Sequence, residues 1–405
     1  MPPHNTATIE DYLHWRGDIS FRERPLNPVD NLIFSVFAYL PFDGLVPQEP
    51  GLQGPTIADV AKAFAAFDAV EMKRRGFSER IEQHIRFFRH AAETPRFAEV
   101  RLSGFVNRLD QAEETQFAAI TFSIEKDCHY VAFRGTDSTV VGWKEDFNMS
   151  FMTPVPAQRY AAGYLEQVAQ RLQGKLFVGG HSKGGNLAVY AAAFSSQLPD
   201  GKRSKAPWPW KATTQKRIAA VYNNDGPGFD EATISSNGFT ALQGKLFAFV
   251  PQSSIIGMLL EHSEAYTIVQ STQRGIAQHD PYSWTVRGTN FVCVDTVTDT
   301  SRFIDKTIKE WLGSLSPEER RKFIDALFDI LEATDITSFS ELSTNWFQRA
   351  RAMGEAISNL DGESRTMLMK TLGLLFETVT QNLRLLWSSQ ADPDTQNISC
   401  RKKET

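Results

Sequence analysis

The sequence has little cysteine: Cys128, Cys293 and Cys400 are the only three in 405 residues, and they lie far apart. An odd number at such spacing excludes a disulfide framework and a cysteine-based zinc site, and it fits a reducing compartment. There is no excess of positive charge either. The formal net charge is −5, so no cationic field draws the chain onto nucleic acid, which is not an expected partner. No run of about 18 apolar residues is found, and Met1–Thr6 lacks the basic start and apolar stretch of a secretory leader. Internal repeats and low-complexity tracts are missing too. The expectation is a soluble, cytoplasmic protein. What is there is ordinary for a globular chain, 41% hydrophobic and 22% charged residues. At roughly 100–200 residues per domain, the length suggests two or three units.

Along the chain, residues 1–95 read as an N-terminal helical segment packed on a core. Leu32, Ile33, Val36, Phe37 and Leu40 recur at helical spacing over 30–40, with Pro41 as the stop. Thr56-Ile57-Ala58-Asp59 has the shape of a capping box, and a third helix is expected over 78–92. From 97 the pattern becomes that of strands, at 97–109, 116–124 and 129–133. Further strands are expected at 176–178, 218–222, 246–250, 266–269 and 291–294, with helices at 157–172 and 184–194. This alternation over 96–300 predicts an α/β fold with a mixed, mainly parallel sheet flanked by helices. Within it, 199–217 reads as a basic insertion. It is either a solvated loop or an interfacial patch, with Trp208 and Trp210 beside Lys202, Arg203, Lys205 and Lys211 giving a peripheral membrane contact. Residues 301–389 look all-helical, over 303–313, 317–333, 339–359 and 362–387, and 390–405 reads as a disordered tail.

The chemistry concentrates at Gly180-His181-Ser182-Lys183-Gly184. An apolar strand precedes it and a helical run follows, the context in which G-x-S-x-G makes a strained turn that lifts a serine hydroxyl clear of the backbone. The bland alternative is a glycine-rich turn with an incidental serine. A phosphate-binding loop is excluded, because no Gly-Lys-[Ser/Thr] occurs there. Ser182 is therefore the candidate nucleophile. The usual chain order of serine, acid, histidine leaves His262 and His279 as candidate bases. His279 is preferred because it lies in a turn-rich loop late in the sheet region, whereas His262 falls at helical spacing. His181 reads as a packing residue of the elbow.

A second motif, Tyr130-Val131-Ala132-Phe133-Arg134-Gly135-Thr136-Asp137, is followed by Trp143 and Asp146. With the elbow it resembles the class 3, or fungal-type, lipase family over about 97–295. It is closest to a bacterial, intracellular branch that carries Asp-Asn-Leu-Ile near residue 30, G-H-S-K-G-G and Gln-His-Asp-Pro-Tyr-Ser-Trp. The resemblance implies an α/β-hydrolase fold and an oxyanion hole at Thr136 with the backbone N–H of Lys183. Thr136 also reads as a simple cap or turn residue, Arg134 as a brace of its loop and Asp146 as structural. The sequence departs from the family at the acid. Ser254 stands where aspartate is expected, and Asp225, after the preceding strand, is the nearest substitute, with Glu261 and Asp280 as fallbacks. Asp225 alternatively just begins a D-G-P-G turn.

The expectation is a serine hydrolase cleaving a small-molecule or lipid acyl ester, with catalytic Ser182, His279 and Asp225 and with neither metal nor organic cofactor. Acyl transfer or peptide cleavage in the same pocket, and a hydrolase-shaped interaction protein without activity, are the rival readings. Oligomeric state is open.

Overall fold

The structure, a computed structural model, describes residues 7–67, 74–75, 77–137, 139–195, 213–254, 256–260, 265–333, 355, 357–358 and 360–390. Lys202, Arg203, Lys205, Trp208, Trp210 and Lys211 of the basic insertion, the fallback acid Glu261, His262, most of the helix expected over 339–359 and nearly all of the tail lie outside the described residues.

The helices described at the start of the chain include α1 (Ile9–Arg16), α2 (Pro28–Phe37), α3 (Ile57–Ala65) and α4 (Glu79–Ala92). Helix α2 begins earlier than the apolar spacing predicts. Asn27 accepts from the backbone N–H groups of Val29 and Asp30, Asp30 accepts from the N–H of Asn27, and Pro28 occupies the first turn, where its missing N–H costs nothing. Its end is at Ala38, three residues before Pro41. Helix α3 starts on the expected box, with Thr56 and Asp59 bonding reciprocally.

The sheet follows. Strands β1 (Arg101–Asp110), β2 (Thr115–Glu125), β3 (Cys128–Phe133), β4 (Lys175–His181), β5 (Ile218–Asn224), β6 (Leu246–Pro251) and β7 (Tyr266–Val269) lie side by side in chain order. The first three form an antiparallel meander, and β3 through β7 run parallel. Residues 97–100, expected as strand, instead turn on themselves, with the Phe97 and Val100 N–H groups bonded to Thr94 and Phe97. The strand expected at 291–294 shrinks to a two-residue hairpin pairing, Val286–Arg287 with Asn290–Phe291, plus an isolated bridge from Cys293 to Val269 at the sheet edge.

Parallel strands laid down in sequence by right-handed crossovers carry their helices on one face. Helices α5 (Val140–Asn148) and α6 (Pro156–Arg171) connect β3 to β4, and α7 (Lys183–Phe194) leaves β4 for β5. Leu165 and Val168 of α6 and Leu187 and Val189 of α7 pack on Val131, Phe133, Val178 and Val221 of the strands. That leaves the opposite face, with Phe122, Tyr130, Ala132 and Tyr222, to be covered by something else, and helices α1 to α4 cover it. Helix α2 lies deepest: Leu32, Ile33, Phe34, Val36 and Phe37 are all fully buried, each stabilising by roughly 1.5–3 kcal/mol. Successive strand residues thus point into two different cores, as a period of two requires.

The N-terminal layer is also tied by polar groups. Arg96, fully buried, donates from Nε to Asp30 at 2.8 Å and from Nη1 to the carbonyls of Ile19 and Arg24. Asn31 and Asn224 exchange amide hydrogen bonds of 2.9 and 3.1 Å across the core, fixing α2 to the last residue of β5.

Among the described residues, the helices after the sheet include α8 (Asp299–Gly313), α9 (Pro317–Ala333) and α10 (Gly362–Gln390). Trp311, Phe323, Phe328 and Leu368 give them a small core of their own, which reaches Trp143 and Phe151 around α5. No described helix is long and apolar enough to cross a membrane.

Candidate active site

Ser182 sits between β4 and α7 with φ 59° and ψ −136°, a backbone conformation a non-glycine residue rarely holds. Glycine on either side makes the turn feasible. A Cβ on Gly180 would fall 2.3 Å from the backbone of Gly184, and one on Gly184 would fall 2.2 Å from the carbonyl oxygen of Phe133. The Ser182 N–H donates to the Asn224 carbonyl at 2.9 Å, which seats the serine beside the tip of β5.

Asp225 is the next residue on that tip, at φ 54°, and its N–H donates to Phe249 of β6. Its carboxylate is fully buried. Oδ2 lies 2.6 Å from His279 Nδ1, and Oδ1 accepts from the Ser254 hydroxyl at 2.5 Å, which in turn accepts from the Gly257 N–H at 3.0 Å. Ser254, at the expected acid position, therefore holds the Asp225 carboxylate that follows the neighbouring strand. A carboxylate on Nδ1 fixes the proton there and leaves Nε2 as the basic nitrogen of an imidazole whose side chain is 27% exposed.

The loop carrying His279 is held on several sides. His181 Nε2 is 2.8 Å from the His279 carbonyl, so Nε2 is the protonated nitrogen of His181. Burial, reinforced by the nearby His279, pushes the pKa of His181 well below its ordinary value. The Trp284 indole donates to the Gln278 carbonyl at 3.0 Å, and the Gln278 side chain accepts from the Ser253 N–H at 2.8 Å. Asp280, a fallback acid, pairs with Arg80 at 2.9 Å and caps the Tyr282 N–H, so it is occupied elsewhere.

On the other side of Ser182, the Thr136 hydroxyl donates to Asp146 Oδ2 in a short hydrogen bond. That hydroxyl is committed, so what Thr136 can offer an oxyanion is its backbone N–H. Arg134 braces the same loop through Asn107 and Asp137. The sequence reading missed the side chain of Lys183. Fully buried, it donates to the Gln116 carbonyl at 2.9 Å, to Gln116 Oε1 at 2.8 Å and to Glu145 Oε2 at 3.0 Å, with Asp146 at 3.6 Å. Burial pushes the Asp146 carboxyl up to about 6, against the opposing pull of the Lys183 ammonium. The one available signal was a lysine in an otherwise small and apolar stretch, with two adjacent acids, Glu145 and Asp146, that it could reach.

Asp146 and Lys183 also line a cavity of about 240 Å³. The rest of its wall is mostly apolar and comes from α5, the turn at 256–260 and the two helices α8 and α9, including Trp143, Phe147, Ile308, Trp311, Leu312 and Phe323. No group of three or more His, Cys, Asp or Glu side chains placed to hold a metal occurs among the described residues.

A mixed, mainly parallel sheet between helices, with a serine on a strained strand-to-helix turn, defines an α/β protein. The chain belongs to the Mbeg1-like family, whose model matches residues 91–329, more than half of its length. No curated protein matches it. Among solved structures it is similar to the Rhizomucor miehei lipase in its propeptide complex, at 18% identity and a TM-score of 0.31, over 51% of this chain and 65% of that one. It is similar also to M37 lipase, at 15% identity and a TM-score of 0.30, over 50% and 69%. The chain thus spans just under two thirds of the Rhizomucor lipase.

Proposed function

We propose that the protein is a serine hydrolase that cleaves acyl esters through an acyl-enzyme on Ser182. The observation that carries this reading is the 2.6 Å contact between His279 Nδ1 and the buried Asp225, beside a serine held in the elbow conformation. His279 Nε2 takes the Ser182 proton as the hydroxyl attacks the ester carbonyl, and Asp225 stabilises the imidazolium that forms. The backbone N–H groups of Lys183 and Thr136 receive the oxyanion, the former at the positive end of α7. Collapse of the tetrahedral intermediate expels the alcohol, which leaves with the proton from His279. Water then enters, activated by the same nitrogen, and releases the acid. The apolar cavity beside Asp146 and Lys183 suits an acyl chain better than a polar or peptide substituent.

The test is turnover of p-nitrophenyl esters of graded chain length by wild type and Ser182→Ala. Turnover that rises with chain length and is lost in the variant is the expected result; turnover equal in the two, or none by folded wild type, contradicts the reading.

A further inference from the structure

We infer that Lys183 is a positioning residue: its side chain holds Asp146, and through Asp146 the Thr136 loop, in the arrangement the oxyanion site requires. This rests on the serine-hydrolase reading of Ser182. Lys183 enters no step of the reaction through its ammonium, yet that ammonium is fully buried immediately after the nucleophile.

Burying an ion pair is a poor way to gain stability, because the desolvation of two charges offsets their attraction. A leucine or methionine would fill the same space without that cost. What a lysine adds is three directed donors, and here all three are allotted, to two oxygens of Gln116 on β2 and to Glu145 on α5. Glu145 is also held at both oxygens, accepting from the N–H groups of Gln116 at 3.1 Å and Ala157 at 2.8 Å. The ammonium therefore cannot drift, and helix α5 cannot slide along β2 without breaking charge-assisted bonds.

Asp146, the next residue on α5, is the beneficiary. It lies 3.6 Å from Lys183 and accepts from the Thr136 hydroxyl. The charged and titratable groups around it are Lys183 from α7, Glu145 on its own helix, Tyr39 just after α2, and Arg320 of α9 in the wall of the same cavity. Of these, Lys183 is the one that most favours the ionised carboxylate, and burial and Glu145 oppose it. An ionised Asp146 accepts a charge-assisted hydrogen bond from the Thr136 hydroxyl and pins the loop; a protonated one holds it less tightly. Oxyanion donors are effective because they are aimed before the charge develops, so a loosened loop costs rate and not ground-state binding.

The experiment uses the full chain and ester hydrolysis, comparing wild type, Ser182→Ala, Lys183→Met with Glu145→Gln, Asp146→Asn and Thr136→Val. The paired substitution removes both members of the Lys183–Glu145 pair, so the loss of the ammonium falls on Asp146 alone, and Asp146→Asn tests the same link while leaving Lys183 in place. The expected result is a kcat lower by about 10–100-fold with KM nearly unchanged in both, since loss of one oxyanion donor costs about 10²–10³-fold. In the Thr136→Val background, where the link is already cut, the further loss shrinks to about twofold or less. The acid limb of the kcat profile moves to higher pH in the Lys183→Met, Glu145→Gln protein and returns when Thr136→Val is added. A loss of the same size with and without Thr136, or a change confined to KM, overturns the inference. Ser182-dependent turnover that is indifferent to these substitutions overturns it alone; wild type without such turnover overturns the hydrolase reading and this inference with it.

Discussion

Two polar clusters flank Ser182, one at the tips of β5 and β6 and one beneath α5, and they handle charge in opposite ways. At the first, the buried carboxylate of Asp225 is shared between a histidine and a serine hydroxyl, and the histidine ring remains partly open. At the second, the lysine is shut in completely, every donor is assigned, and two carboxylates surround it. The first arrangement leaves one nitrogen free to take and return a proton; the second leaves no donor of the ammonium uncommitted. A hydrolase needs both, because proton transfer demands a group that changes state, and oxyanion stabilisation demands groups that do not.

The largest effect comes from breaking the first cluster. Asp225→Asn preserves the shape but puts an amide against Nδ1, and kcat is expected to fall by about 10⁴-fold, the size seen when a triad histidine is forced into the wrong tautomer. Ser254→Ala takes away only one hydrogen bond to that carboxylate and is expected to cost about tenfold, in line with roughly 1.5 kcal/mol for a bond to a charged group. Ester kinetics on the two variants rank them. Equal losses would mean that Ser254 and not His279 governs the carboxylate; no loss in Asp225→Asn would place the acid elsewhere. A smaller change is expected at the cavity. Leu312→Trp fills space on its α8 wall, so the preference for long over short acyl chains should drop by about tenfold while short-ester turnover stays the same. An unaltered preference would mean that the acyl chain lies outside this cavity.

Much of the first cluster can be read along the chain, and little of the second. The strand, turn and helix around Ser182 are consecutive, and the order of serine, acid and histidine confines the search, so Ser182 and His279 stand out from local pattern. Asp225 competes with other acids in the sequence, and only the pairing of β5 with β6 brings it between Ser254 and His279. Lys183 could be read only for its backbone. Its side-chain partners lie 67 and 38 residues away and meet it through the packing of α5 on β2, which no periodicity encodes. The same limit applies to the C-terminal helices. Their apolar spacing announces a buried face, but what that face covers, a cavity lined also by Asp146 and Lys183, depends on how they dock against α5. The start of α2 was misplaced for a smaller reason: the cap at Asn27 outweighs the apolar period.

The most direct measurement is the intact mass of wild type and Ser182→Ala after exposure to a fluorophosphonate, which reacts with a serine only when a base activates it. The account predicts one adduct per chain on wild type and none on the variant. An adduct that persists in Ser182→Ala, or folded wild type that takes up none, would contradict it.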